Sequence, residues 1–181
     1  MSEHTLAQAQ ADMRTGYMDG APGVLTSGLV WLVATVVAAV ASVRTAVWVL
    51  VVGGACIHPL SLLVAKALGR RGAHSPGNPL ARLALEGTAW FIGGIAIALL
   101  LQIQRVDWFF PAMLVLIGGR YLTFQTLYGL RAYWICGAVL CLAGVGLVFA
   151  RAPAALGAGT GALVELVFAG VLFSRAGRRD P

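Results

Sequence analysis

A chain of 181 residues that is 59% hydrophobic and 11% charged, with mean hydropathy +0.84, has too little polar surface to cover a water-soluble fold. These figures exclude an ordinary soluble domain and make lipid the solvent. The net charge of +6 is dispersed over junctions between apolar runs, with no basic stripe. That pattern excludes a nucleic-acid footprint and reads as topology plus attraction to anionic lipid headgroups.

In chain order, residues 1–21 carry Glu3, Asp12 and Asp19 and place Leu6, Met13 and Tyr17 near one helical face. They are read either as a short interfacial helix or as a disordered amino-terminal segment. Six apolar segments follow, at 22–43, 46–65, 83–104, 108–128, 130–150 and 152–174. Each is near the roughly 20 residues that cross ~30 Å of hydrocarbon as a helix. The expected fold is all-α: a polytopic transmembrane bundle of six helices over residues 22–174, with a basic tail at 175–181. The first apolar run is read as a retained helix and not a signal peptide. Its leader is acidic, it exceeds the usual ~7–15 residue apolar core of such signals, and a second span follows after Arg44 and Thr45.

The thirteen basic residues orient the bundle, since short cytoplasmic loops carry the excess of Lys and Arg. Six spans put Arg14, Lys66, Arg70, Arg71, Arg82, Arg131, Arg175, Arg178 and Arg179 on one side and Arg44, Arg105 and Arg151 on the other, with Arg120 inside a span. The expectation is a multi-pass protein of the inner (plasma) membrane with both termini and the loop at 69–81 in the cytoplasm.

Trp31, Trp90 and Trp134 precede Arg44, Arg105 and Arg151, and the second helix of each pair carries His58, Arg120 or Glu165. This suggests three helical hairpins in parallel repeat, with those three side chains in one layer. Aligning Gly53-Gly54 on Gly118-Gly119 breaks that register, so the repeat stays open. His58-Pro59, one turn after Gly53-Gly54, marks a kink, because proline leaves the carbonyl of Ala55 without its donor. Glycines from Gly137 to Gly161 fit close packing within the bundle.

Ionisable residues inside a membrane are the natural candidates for function, at a cost of roughly 2.5–3.5 kcal/mol each at a helix centre. Arg120 stands out. Its partner is expected to be Glu165 at similar depth, with Glu86 as the substitute. Two meanings stay open: a charged centre that binds an anion or relays a proton, or a pair that fixes helix packing. The candidate binding set is Arg120, Glu165, Glu86 and His58, with Tyr121 and Gln125 of the Arg120 helix. Cys56, Cys136 and Cys141 all fall inside spans and give no disulfide framework.

Residues 118–129, Gly-Gly-Arg-Tyr-Leu-Thr-Phe-Gln-Thr-Leu-Tyr-Gly, together with Phe110-Pro111 and Asn78-Pro79-Leu80, carry a resemblance. The chain resembles a family of small six-helix bacterial integral membrane proteins of unassigned function, over nearly its whole length. In that family a histidine stands at the position of Arg120 and a proline at that of Thr123. A fixed cation in place of an imidazole puts a proton relay carried over from the family in doubt at this position. The resemblance therefore implies the fold more than the activity.

No HExxH, Gly-x-Ser-x-Gly or Walker lysine is present, and Lys66 lies at a helix end, so an enzyme is the least supported reading. No metal or cofactor is expected; the expected partners are the bilayer with its anionic lipids and a small-molecule or ion ligand. The leading expectation is a small transporter-like or channel-like protein with an intramembrane charged site around Arg120. The alternative is a non-catalytic accessory or sensor subunit whose buried charges are structural. A wet cavity at those residues favours the first, a dry and saturated Arg120 the second.

Overall fold

Without water to satisfy backbone groups, a membrane-embedded chain must close its own hydrogen bonds, and helices do so within one segment. The computed structural model, which describes residues 5–178, consists of helices joined by short corners and one longer loop. Helix α1 (Leu6–Tyr17) opens on a capping box: the Thr5 side chain accepts from the Gln8 amide, and the Gln8 side chain from the Thr5 amide. It ends where Met18, Asp19 and Gly20 all adopt positive φ, turning the chain sharply into α2 (Ala21–Val40). Gly20 is required there twice over. Its φ is +82°, and a Cβ would run into the Tyr133 hydroxyl and the Tyr128 ring.

Five more helices follow: α3 (Val43–Ala67), α4 (Leu80–Gln104), α5 (Phe109–Tyr128), α6 (Ala132–Phe149) and α7 (Ala154–Gly177). From α2 to α7 they coincide with the six apolar segments to within a few residues. The runs containing α2, α3, α4, α6 and α7 are long and apolar enough to cross a membrane, which fits a multi-pass membrane protein. Helix α5, with Arg120 and Gln125, is not among them. Its apolar side chains Phe109, Phe110, Met113, Leu114, Ile117 and Tyr121 are buried in the protein, so less of its surface has to match lipid.

Helix α2 lies between α3 and α7, and α5 packs along α6 while touching α4 and α7. The main neighbour of α3 is α2, and that of α4 is α5, so α3 and α4 form the flanks. Small residues set the closest approaches. Gly118 and Gly137 face each other across α5 and α6, Gly144 sits against the Pro111 carbonyl, and Gly161 sits under the Trp31 ring. The helices do pair as hairpins, but the three are not packed alike: α2 and α3 pack extensively, α6 and α7 only lightly. Trp31 is buried against Phe110, whereas Trp90 and Trp134 are 82% and 60% exposed. The tryptophans that suggested a repeat therefore have different roles.

The first helix is docked, not free. Met13 and Ala9 join Leu80 and Leu127 in a small cluster over the end of α5, with Tyr17 and Tyr128 alongside, while Leu6 is exposed. Around that cluster, Gln10 Nε2 donates to the Thr126 carbonyl at 2.8 Å and Arg14 Nη1 to the Tyr128 carbonyl at 2.6 Å. The α3–α4 loop holds the other side, where Asp12 accepts from Arg71 Nη2 (3.0 Å), Ser75 N (2.7 Å), Ser75 Oγ (2.8 Å) and Asn78 Nδ2 (2.9 Å). Burial raises the Asp12 carboxyl, but the bonds from Asn78, Ser75 and Arg71 outweigh it and hold the group well below the usual carboxylate range.

Candidate functional site

Adjacent residues on a helix point about 100° apart, and α5 lies between two partners, so Arg120 and Tyr121 serve different neighbours. Tyr121 turns toward α7. Its hydroxyl donates to Glu165 Oε1 at 2.9 Å, and Glu165 is completely enclosed. The second carboxyl oxygen, Oε2, has no hydrogen-bond partner among the described residues. Ser27, buried on α2, adjoins the carboxyl. A ring cluster surrounds this pair: Tyr121 lies 5.7 Å from Tyr133 and 6.3 Å from Phe168, and Tyr133 stacks on Tyr128 at 5.4 Å. The Tyr133 hydroxyl donates to the Asp19 carbonyl at 2.7 Å, so the cluster reaches the corner between α1 and α2.

Arg120 turns toward α4. Its Nη2 donates to Thr88 Oγ1 at 3.1 Å, and Thr88 in turn donates to the Ala84 carbonyl at 2.8 Å. The guanidinium lies 5.0 Å from the Phe91 ring and 5.5 Å from the Phe124 ring. Such cation–π contacts contribute roughly 0.5–2 kcal/mol each, more as water is excluded. The expected ion pair between Arg120 and Glu165 is therefore not formed. Helix α5 itself separates the two groups, and a tyrosine hydroxyl and two aromatic faces stand where each was expected to find the other.

The substitute partner fails as well. Glu86 is exposed on α4, and it is Thr88, further along the same helix, that reaches Arg120. His58 is exposed on α3, which runs unbroken through Pro59; its carbonyl accepts from Ser61 Oγ at 2.7 Å. Its side chain makes no hydrogen bond to Arg120 or Glu165 among the described residues. Gln125 is half-buried, and its side chain makes no hydrogen bond among the described residues. Of the expected set, the fold thus brings together Tyr121 and Glu165. Sequence reasoning missed Thr88, Phe91, Phe124 and Tyr133, because threonine and aromatic residues are common in any membrane helix. The exception is the spacing of Tyr121, Phe124 and Tyr128, which recurs every three to four residues and marks one helical face.

A cleft between α4, α5 and α6 and a small recess at the corners where Arg105 and Arg151 stand lie elsewhere.

These features define a helical bundle of the multi-pass membrane type with an enclosed carboxyl–tyrosine pair at its centre. Residues 6–175 match the family described as "Family of unknown function (DUF7010)", and the chain belongs to that family. Neither the curated proteins nor the solved structures gave a match.

Proposed function

We propose that this protein is a small transporter-like or channel-like membrane protein whose working centre is the Glu165–Tyr121 pair, with a proton or small cation as its ligand. The observation that carries this reading is Glu165 Oε2, an enclosed carboxyl oxygen with no hydrogen-bond partner among the described residues. Leaving such a group unsatisfied costs about 1–3 kcal/mol, more if charged, and membrane helices retain ionisable residues mostly where ions or protons pass. The polar group set against this carboxyl is the Tyr121 hydroxyl, and the aromatic cluster around it reaches the α1–α2 corner. Arg120, on the opposite side of α5, holds α4 in place beside this core.

The basic-residue asymmetry supports an inner-membrane placement with α1 and the carboxyl end in the cytoplasm. In that orientation the aromatic cluster beside Glu165 extends toward the cytoplasmic side, and Arg44, Arg105 and Arg151 lie outside.

The test is proton flux into liposomes carrying the purified protein and an internal pH-sensitive dye, driven by an imposed potential. Wild type is expected to exceed empty liposomes, and Glu165→Gln to fall to their rate. Equal flux from wild type and Glu165→Gln would overturn the reading.

A second reading, a non-catalytic accessory or sensor module, draws on the surroundings of Arg120, which is held by Thr88 and two rings as a packing residue would be. Wild-type flux no greater than that of empty liposomes would favour it.

A further inference from the structure

We propose that the cleft between α4, α5 and α6 holds one acyl chain of an anionic phospholipid whose headgroup sits at Arg105 and Arg151. The cleft has a volume of about 400 Å³ and an apolar lining that includes Ile97, Ala98, Val115 and Val145. That volume falls within the roughly 300–1,000 Å³ of ligand pockets.

Its length matches one leaflet. The lining runs along α4 from Leu101, near the α4–α5 corner, to Gly94. From Arg105 to Gly94 is ~16 Å of helix at 1.5 Å per residue, about half of a ~30 Å hydrocarbon core. A chain entering at the corner would therefore end near the midplane.

The corner supplies the charge. Trp108, Pro111 and Val148 line both the cleft and a small recess of about 20 Å³ that Arg105, Asp107 and Arg151 also line. Arg105 lies over the Trp108 ring at 5.6 Å. Neither Arg105 nor Arg151 forms an ion pair among the described residues, and Asp107 Oδ1 is engaged by the Ala154 amide at 3.2 Å, where it caps α7. Two cations without carboxylate partners at the mouth of an apolar slot match a phosphate joined to an acyl chain.

This proposal rests on the membrane reading of the helices and is independent of the Glu165 centre. It is tested by native mass spectrometry of the protein released from bilayer nanodiscs containing equal amounts of dioleoyl phosphatidylglycerol and dioleoyl phosphatidylcholine. Wild type is expected to retain one phosphatidylglycerol per chain, with about tenfold preference over phosphatidylcholine. The double variant Arg105→Gln with Arg151→Gln should lose the preference but still retain a lipid. Val145→Trp, at a cleft position 47% exposed, should lose the lipid itself while still inserting. Equal retention of both lipids by wild type, lipid retained by Val145→Trp, or dimers in place of lipid adducts would each overturn the proposal. Failure of all variants to enter nanodiscs would instead overturn the membrane reading, and the slot with it.

Discussion

The Tyr121 hydroxyl donates to Glu165 Oε1 at 2.9 Å across the contact between α5 and α7, and Ser27 of α2 adjoins the same enclosed carboxyl. Tyr121→Phe removes this donor from the enclosed carboxyl. It is expected to cost about 1–3 kcal/mol. Combining it with Glu165→Leu replaces both polar groups by apolar ones and should recover most of that loss. Thermal unfolding in detergent checks the pair, and a double variant less stable than Tyr121→Phe alone would contradict the bond.

Arg120 and Glu165 are expected to behave as independent sites. Arg120→Leu and Glu165→Leu should add in the double variant to within roughly 0.5 kcal/mol, as separated residues do. Arg120→Leu and Phe91→Leu share a contact and should not add. Melting curves of the single and double variants decide it. Mutual rescue between the Arg120 and Glu165 substitutions would restore the ion pair that the geometry lacks.

Six helices are legible in this sequence because hydrocarbon allows few alternatives: a run of about 20 apolar residues must close its own hydrogen bonds. The α5–α7 register is partly legible too, since rise per residue is fixed, and Tyr121, next to Arg120 in sequence, does meet Glu165. What the sequence hides is azimuth. Whether Arg120 or Tyr121 meets α7 depends on α5 lying between α4 and α7, and a single rotation of about 100° exchanges the two answers. His58 shows the same limit: its place beside Pro59 was plain, but its exposure on the flanking helix α3 follows from α3 packing chiefly on α2. The docking of α1 was half legible, in Met13 and Tyr17. Its polar half, Asp12 against Ser75 and Asn78, joins residues more than 60 positions apart and has no local signature.

Asp12 makes the docking of α1 sensitive to acid. Its carboxyl titrates lower in the docked state than in an undocked one, so its contribution is complete above the ordinary carboxylate value of about 3.9. The contribution falls away as pH drops through that value toward the lower docked one. Protection of the α1 amides against hydrogen exchange should therefore be level near neutrality and lost only in strong acid. Asp12→Asn should lower it near neutrality by about 1–3 kcal/mol and remove the loss in acid. Unchanged protection in Asp12→Asn would mean that the apolar cluster around Met13 holds α1 alone.

Reporter fusions test the proposed orientation. Fusions after Arg71 and at the carboxyl terminus are expected to report cytoplasm, and one after Asp107 the outer side. Opposite signals from the first two would mean that one of the six helices does not cross.

The central claim is that Glu165 exchanges a proton within the membrane-embedded core and that Tyr121 touches the group that does so. Infrared difference spectroscopy between acidic and alkaline buffer, on protein reconstituted in lipid, reads this directly. The expected result is a carboxyl C=O band that is absent in Glu165→Gln, displaced in Tyr121→Phe as its hydrogen bond is lost, and unmoved in Arg120→Leu. A difference spectrum identical in wild type and Glu165→Gln would contradict the account.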